Sequence, residues 1–92
     1  RAEEGFVSVY AVVETTTGTI LAGPHIQARG VAEDDSVFEE ILPDVTEALS
    51  AALETGKADA YSLQQVMRRT LGRWIGRRLR RRPMIVPVVI EA

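Results

Sequence analysis

Ninety-two residues, 46% hydrophobic and 26% charged, give the composition of one small folded domain and exclude a disordered chain. The absence of cysteine excludes a disulfide framework and a thiolate metal site, and no run of about 18 apolar residues exists to form a membrane-spanning helix. The net charge of −2 hides a division: eight of the eleven basic residues lie within 68–82, and eight of the thirteen acidic residues within 33–54.

The first element is the β-branched and aromatic run "FVSVYAVV", residues 6–13, read as a strand that is apolar on both faces. The turn "TTTG" follows, and a second strand resumes over 19–22. A hairpin with a four-to-five-residue loop would set Val9 and Tyr10 against Ile20 and Leu21. Gly23-Pro24 marks a bulge, an edge or the end of that strand, because proline cannot donate to a ladder. "HIQARG" reads as extended chain that ends at a glycine suited to an unusual backbone angle.

Residues 32–36, "AEDDS", carry helix-start signals, with Asp35 or Ser36 as the cap. Val37, Phe38, Ile41, Leu42, Val45, Leu49, Ala52 and Leu53 follow with helical spacing. Pro43 either kinks one long helix or starts the main helix, and the continuous stripe slightly favours the kink. Gly56 suits a C-terminal cap. Ser62 and Gln65 form the capping box of a second helix, in which Leu63, Met67, Thr70, Leu71, Trp74 and Ile75 share a face. Arg69, Arg73, Arg77 and Arg80 lie on a different face, and Arg78 projects toward the apolar side with its stem packed. Pro83 ends the helix, and residues 84–90, "MIVPVVI", make a third strand with a bulge or an edge at Pro87.

The order β-β-α-α-β predicts an α+β fold, a three-stranded sheet covered on one face by two helices. Residues 1–92 are read as one non-catalytic domain, and the start "RAEEGF", without methionine or a signal-peptide pattern, suits a processed protein or, the favoured reading, a piece of a longer protein. Two helices cover one side of a sheet only, so the other apolar side of the first strand calls for a partner. Phe6, Tyr10, Val12, Ile85, Val88 and Ile90 are the candidate self-association residues, and Val88→Asp is expected to bury an unpaired charge in the closing strand. The arginine face is either complemented by the acidic helix of the same chain or kept for RNA or a neighbouring subunit. Arg69, Arg73, Arg77 and Arg80 are the candidate RNA-binding residues, since a guanidinium offers phosphate a planar pair of donors.

No residue is assigned to catalysis or to a metal. His25 is the only histidine and has no cysteine or second histidine to complete a site. The adjacent pairs Asp34-Asp35 and Glu39-Glu40 do not face one another on a helix, Ser36 and Ser62 are explained by capping, and Trp74 sits on the apolar stripe. Gly72 and Gly76 form a G-x-x-x-G pattern that signals close packing only weakly.

The closing segment "RRPMIVPVVIEA" resembles the final signature of the ribonuclease J family, nucleases of the metallo-β-lactamase/β-CASP class. Arg81, Arg82, Pro83, Met84, Ile85, Pro87, Val88, Val89 and Glu91 match it. "GPHIQARG" resembles the family's Gly-Pro-x-Ile-x-Ser-Arg-Gly element, with Ala28 where serine is common and His25 where an acidic residue is common. "EEGFVSV" resembles the strand that follows the catalytic region, so the resemblance covers essentially the whole chain. It implies a cytoplasmic, zinc-dependent ribonuclease with 5′-to-3′ exonuclease and endonuclease activity in messenger RNA decay and ribosomal RNA maturation. Its zinc-binding His-x-His-x-Asp-His motif is absent from these residues, so no cofactor is expected within this chain. The implied role is a C-terminal domain that partners its own catalytic domain, supports homodimers or homotetramers and contributes to activity on RNA, with no membrane partner. A small stand-alone RNA-binding module is the alternative.

Overall fold

The computed structural model describes residues 5–92. Glu3 and Glu4, which begin the "EEGFVSV" likeness, lie outside the described residues. Five elements and one 3-10 segment form two layers. Strands β1 (Phe6–Glu14) and β2 (Thr19–Arg29) make a hairpin, followed by a 3-10 segment (Asp35–Glu40), helices α1 (Leu42–Glu54) and α2 (Ala60–Arg78), and strand β3 (Met84–Glu91). The sheet order is β2-β1-β3, with β1 antiparallel to β2 and parallel to β3. The parallel pairing requires a crossover, and the two helices supply it on one face. The expected α+β architecture is therefore present, with the 3-10 segment added.

Strict alternation makes β1 the centre. Val7, Val9, Ala11 and Val13 are all essentially inaccessible and share one core with Phe38, Ile41, Val45, Leu49, Leu53, Leu63, Met67, Leu71, Trp74 and Ile75. α1 packs beside α2 and against β2, while α2 lies against β3. Trp74 stacks at a tilt on Phe38, centroids 5.5 Å apart, so it belongs to the core as its place on the stripe implied. Gly72 lets α2 approach the sheet, since a β-carbon there would sit 3.4 Å from Ile85 Cδ1, whereas Gly76 faces open space.

The hairpin differs from expectation in its register. Residues 15–18 form the four-residue loop, but Val9 pairs with Ile26 and Tyr10 with His25, while Ile20 lies opposite Val13. β2 continues through Gly23-Pro24 to Arg29. The pairing of β1 with β3 runs unbroken from Phe6 to Val13, so the two irregularities in the β1–β2 register come from extra residues in β2. Gly23 permits this bulge: its φ is +82° and a β-carbon would fall 2.7 Å from the Tyr10 carbonyl oxygen.

The helix starts are also displaced. Asp34 caps the 3-10 segment by accepting the Ser36 N–H at 2.9 Å, and α1 begins at Leu42 with Pro43 in its first turn. No kinked helix forms, because proline's missing N–H costs nothing in a first turn, whose donors have no partner within the helix. Asp59 caps α2, and the reciprocal box joins Asp59 to Ser62, not Ser62 to Gln65: Ser62 N–H donates to Asp59 Oδ1 at 2.8 Å and Asp59 N–H to Ser62 Oγ at 3.1 Å. These N–H donors, the Ser36 backbone first for Asp34 and the Ser62 backbone first for Asp59, hold both carboxyls below the usual aspartate pKa. Thr55 ends α1, with Gly56 beyond it at positive φ as expected.

The closing strand separates two substitutions by face. Val89 is 8% exposed in the helix-covered core, whereas Val88 is 40% exposed on the opposite face. Val88→Asp thus buries no charge within the domain itself, contrary to the sequence expectation. Val89→Asp is expected to lose about 3 kcal/mol or more in urea unfolding, and Val88→Asp less than about 1 kcal/mol.

Candidate functional site

The residues that remain for function sit on two surfaces. The first is the sheet face away from the helices. Alternation places Phe6, Ser8, Tyr10 and Val12 there, and the parallel register sets Met84, Val86, Val88 and Ile90 beside them in turn. Across the hairpin the same rows carry Arg29, Gln27, His25 and Ala22. Phe6, Tyr10, Met84, Val88 and Ile90 are all at least a third exposed, which makes a contiguous apolar surface with polar residues along β2. Five of the six candidate self-association residues share this face. Ile85 does not: it lies opposite buried Val7 and packs against the core under α2. Met84 and Val86 take its place, because every residue of the strand is apolar except its last, Glu91, and nothing within residues 84–90 marks the phase of the alternation.

The edges of this sheet are closed in part. Met84 N–H donates to the Gly5 carbonyl at 3.1 Å and Ala92 N–H to the Val13 carbonyl at 2.8 Å, so even-numbered donors of β3 point toward β1. Odd-numbered donors point to the free edge. There Pro87 has no N–H, and the Val89 N–H donates to Gln64 Oε1 of α2 at 3.1 Å. The other edge, β2, is broken by its two bulges and carries Pro24.

The second surface is the outer side of α2. Arg69, Arg73 and Arg77 are exposed and spaced i, i+4, i+8, so they stack along one line about 6 Å apart. Among the described residues none of the three forms an ion pair. Stacked like charges destabilise a helix by a few tenths of a kcal/mol per pair. Arg78 behaves differently. Its Nε and an Nη donate to the two Glu40 carboxylate oxygens, each at 3.1 Å, and these bonds and then the Glu40 charge raise the Arg78 pKa above its usual value. The acidic and basic segments are joined by this pair, which fastens the 3-10 segment to the end of α2 and leaves the rest of the arginine face open.

Arg80 has a backbone feature that its sequence does not signal. It follows the helix end at Leu79 with φ +59°, the left-handed position that glycine usually fills. A side chain there costs about 1 kcal/mol, and the positive charge near the helix C-terminus offsets part of that.

Among the described residues no group of three or more His, Cys, Asp or Glu side chains could hold a metal ion, so the residues here do not fit a zinc centre. His25 is exposed on the sheet face, its ring 5.2 Å from that of Tyr10. An open groove of about 340 Å³ at the hairpin tip is lined by Thr15, Thr16, Thr17, Gly18, Leu53, Glu54 and Gly56, and the Thr17 hydroxyl donates to Glu14 Oε1 at 2.9 Å, a contact that closes the hairpin turn. No helix of the described residues is long and apolar enough to cross a membrane.

The geometry defines a two-layer α+β domain whose prominent features are an uncovered apolar sheet and a basic helix face. Comparison with known proteins gives its family. Residues 2–92 match the model of the ribonuclease J C-terminal domain, and the chain belongs to that family. It is 42% identical over 87 residues to Ribonuclease J of Mycobacterium tuberculosis (strain CDC 1551 / Oshkosh), which is 95% of this chain and 16% of that relative. It is 40% identical over 87 residues to Ribonuclease J of Mycolicibacterium smegmatis, again 95% of this chain and 16% of the relative. To Ribonuclease J 2 of Staphylococcus aureus (strain NCTC 8325 / PS 47) it is 31% identical over 93 residues, 98% of this chain and 17% of the relative. The chain thus spans about a sixth of the length of these curated relatives.

Arg80→Gly is expected to raise the unfolding free energy by about 0.5–1 kcal/mol, measured by urea denaturation, because the left-handed conformation then has no side-chain cost. Arg80→Ala, which keeps a β-carbon, is expected to give no such gain.

Proposed function

We propose that this chain is the non-catalytic C-terminal domain of a larger ribonuclease J and that it supports self-association through its uncovered sheet face. The observation that carries the reading is the row of exposed apolar side chains on the side of β1 opposite the core, Phe6, Tyr10, Val88 and Ile90 among them. An apolar face of this kind is stabilised by removal from water, at roughly 25 cal/mol per Å² buried.

The parent enzyme is, on this reading, a cytoplasmic, zinc-dependent ribonuclease with 5′-to-3′ exonuclease and endonuclease activity in messenger RNA decay and ribosomal RNA maturation. Zinc and catalysis belong to the catalytic part. This chain contributes contacts, to its own catalytic domain and to further copies in a homodimer or homotetramer. Sedimentation of the 92-residue chain is expected to show concentration-dependent association, and deletion of the domain to lower the oligomeric state of the intact enzyme. A clean monomer at high concentration, with the intact enzyme's oligomer unchanged by deletion, would overturn the reading.

A second contribution rests on a different observation, the line of exposed, unpaired arginines on α2, with Arg80 just beyond the helix end. Arg69, Arg73, Arg77 and Arg80 suit the phosphates of single-stranded RNA. If about three to five arginines meet phosphates, log affinity falls with log salt at a slope of roughly −2 to −3.5. Changing Arg69, Arg73 and Arg77 together to alanine is expected to weaken binding across sequences and flatten that slope. Binding indifferent to both salt and these changes would remove RNA from the function.

A further inference from the structure

The ridge of α2 that carries the three arginines begins before them. At intervals of one turn it presents Tyr61, Gln65, Arg69, Arg73 and Arg77, each about 6 Å from the next. The steps from Tyr61 to Arg77 cover about 24 Å along the helix axis. Such a ridge is inclined to the axis, so it crosses the solvent side of the helix diagonally. Tyr61 and the three arginines are exposed, and Gln65 is half-buried.

Tyr61 stands apart from the apolar residues of the sheet face. It is 68% exposed, in the first turn of α2 and so in the helix layer. Among the described residues it has no hydrogen bond and no other ring against it. Core packing gives no reason for an aromatic ring at this position, because Leu63, Met67, Leu71, Trp74 and Ile75 fill the buried side of α2. Helix propensity gives none either, since tyrosine is a poorer helix former than leucine, lysine or glutamine. The groups on the ridge answer instead to the parts of a single-stranded nucleic acid. Guanidinium forks pair with phosphates, a carboxamide exchanges hydrogen bonds with a ribose hydroxyl or a base edge, and an open ring offers a face on which any base stacks. An acidic peptide would use the arginines and leave the ring idle. A duplex would keep its bases stacked on one another and away from the ring.

Resting on the RNA reading above, we infer that Tyr61 is a base-stacking residue at one end of a track for single-stranded RNA along α2. Successive phosphates lie on Arg69, Arg73 and Arg77, and Gln65 meets the nucleotide between them and the ring. Stacking and phosphate contact are then separable. Loss of the ring lowers affinity without changing the number of phosphates neutralised, whereas loss of an arginine changes both. A purine also offers the ring a larger face than a pyrimidine does, so Tyr61 gives the track a preference for adenine over uracil that the arginines alone do not supply.

Fluorescence anisotropy of end-labelled hexaadenylate and hexauridylate, titrated with this chain at low salt, tests the assignment. Tyr61→Ala is expected to weaken hexaadenylate binding about ten-fold with the salt slope unchanged, and Tyr61→Phe to bind within about two-fold of the parent. The parent is expected to favour adenylate by about three-fold, and Tyr61→Ala to lose that preference. Tyr61 is clear of the core, so both variants are expected to unfold in urea as the parent does. Tyr61→Ala binding as tightly as the parent, or Tyr61→Phe binding as weakly as Tyr61→Ala, would overturn the stacking role and leave the phosphate line standing. Polyglutamate that displaces the RNA at equal charge would assign the face to an acidic protein partner and overturn the track. Failure of the parent to bind either oligonucleotide would remove the RNA reading, and the track with it.

Discussion

The alternation of β1 is the constraint on which the rest of this domain depends. Val7, Val9, Ala11 and Val13 point into the helices, and a strand in the middle of three has no freedom to slip without turning them outward. Both neighbours take their register from it: β2 absorbs its surplus residues in bulges, while β3 follows β1 without a break from Met84 to Glu91. The helices then have one place to go. The stripes of α1 and α2 join these four side chains in one core, and what faces outward is the remainder, the uncovered row of the sheet and the arginine line of α2. Core and uncovered apolar surface are thus two sides of one strand.

Charge follows from that packing more than from composition. The sequence holds an acidic stretch and a basic stretch, and mutual neutralisation was one reading of them. The fold brings Glu40 to Arg78, while Arg69, Arg73 and Arg77 form no ion pair among the described residues. An exposed pair of this kind adds little to stability. The uncompensated arginines are a separate property of the surface.

Much of the fold was legible in the residues because it rests on period and punctuation. The both-sided apolar run, the "TTTG" turn, the two helical stripes and the proline at a free edge all carry local physical signals, and the domain has them. What escaped the sequence has local causes as well. Gly23-Pro24 reads as a breaker, yet a bulge carries β2 past it, so the strand appeared to end early and its register was misplaced. The stripe before Pro43 has spacing that a 3-10 segment and a helix share. Asp59 competes with Ser62 as a cap, and both belong to one box in which Ser62 stands three residues in. Ile85 was assigned to the wrong face because residues 84–90 include no polar residue to set their phase. Arg80 gave no sign of its left-handed backbone, since glycine is the residue that normally announces it.

The two edge devices of the sheet have a consequence for how far assembly can proceed. A three-stranded sheet that shows an apolar face and open sides invites cross-β growth, each added chain offering a fresh side to the next. Here Pro87 and the Gln64 side chain remove two successive donors from one side, and the bulges of β2 distort the other. Growth along the sheet therefore has no regular template at either side. The geometry disfavours a filament, and a single proline and a single glutamine amide set much of that limit.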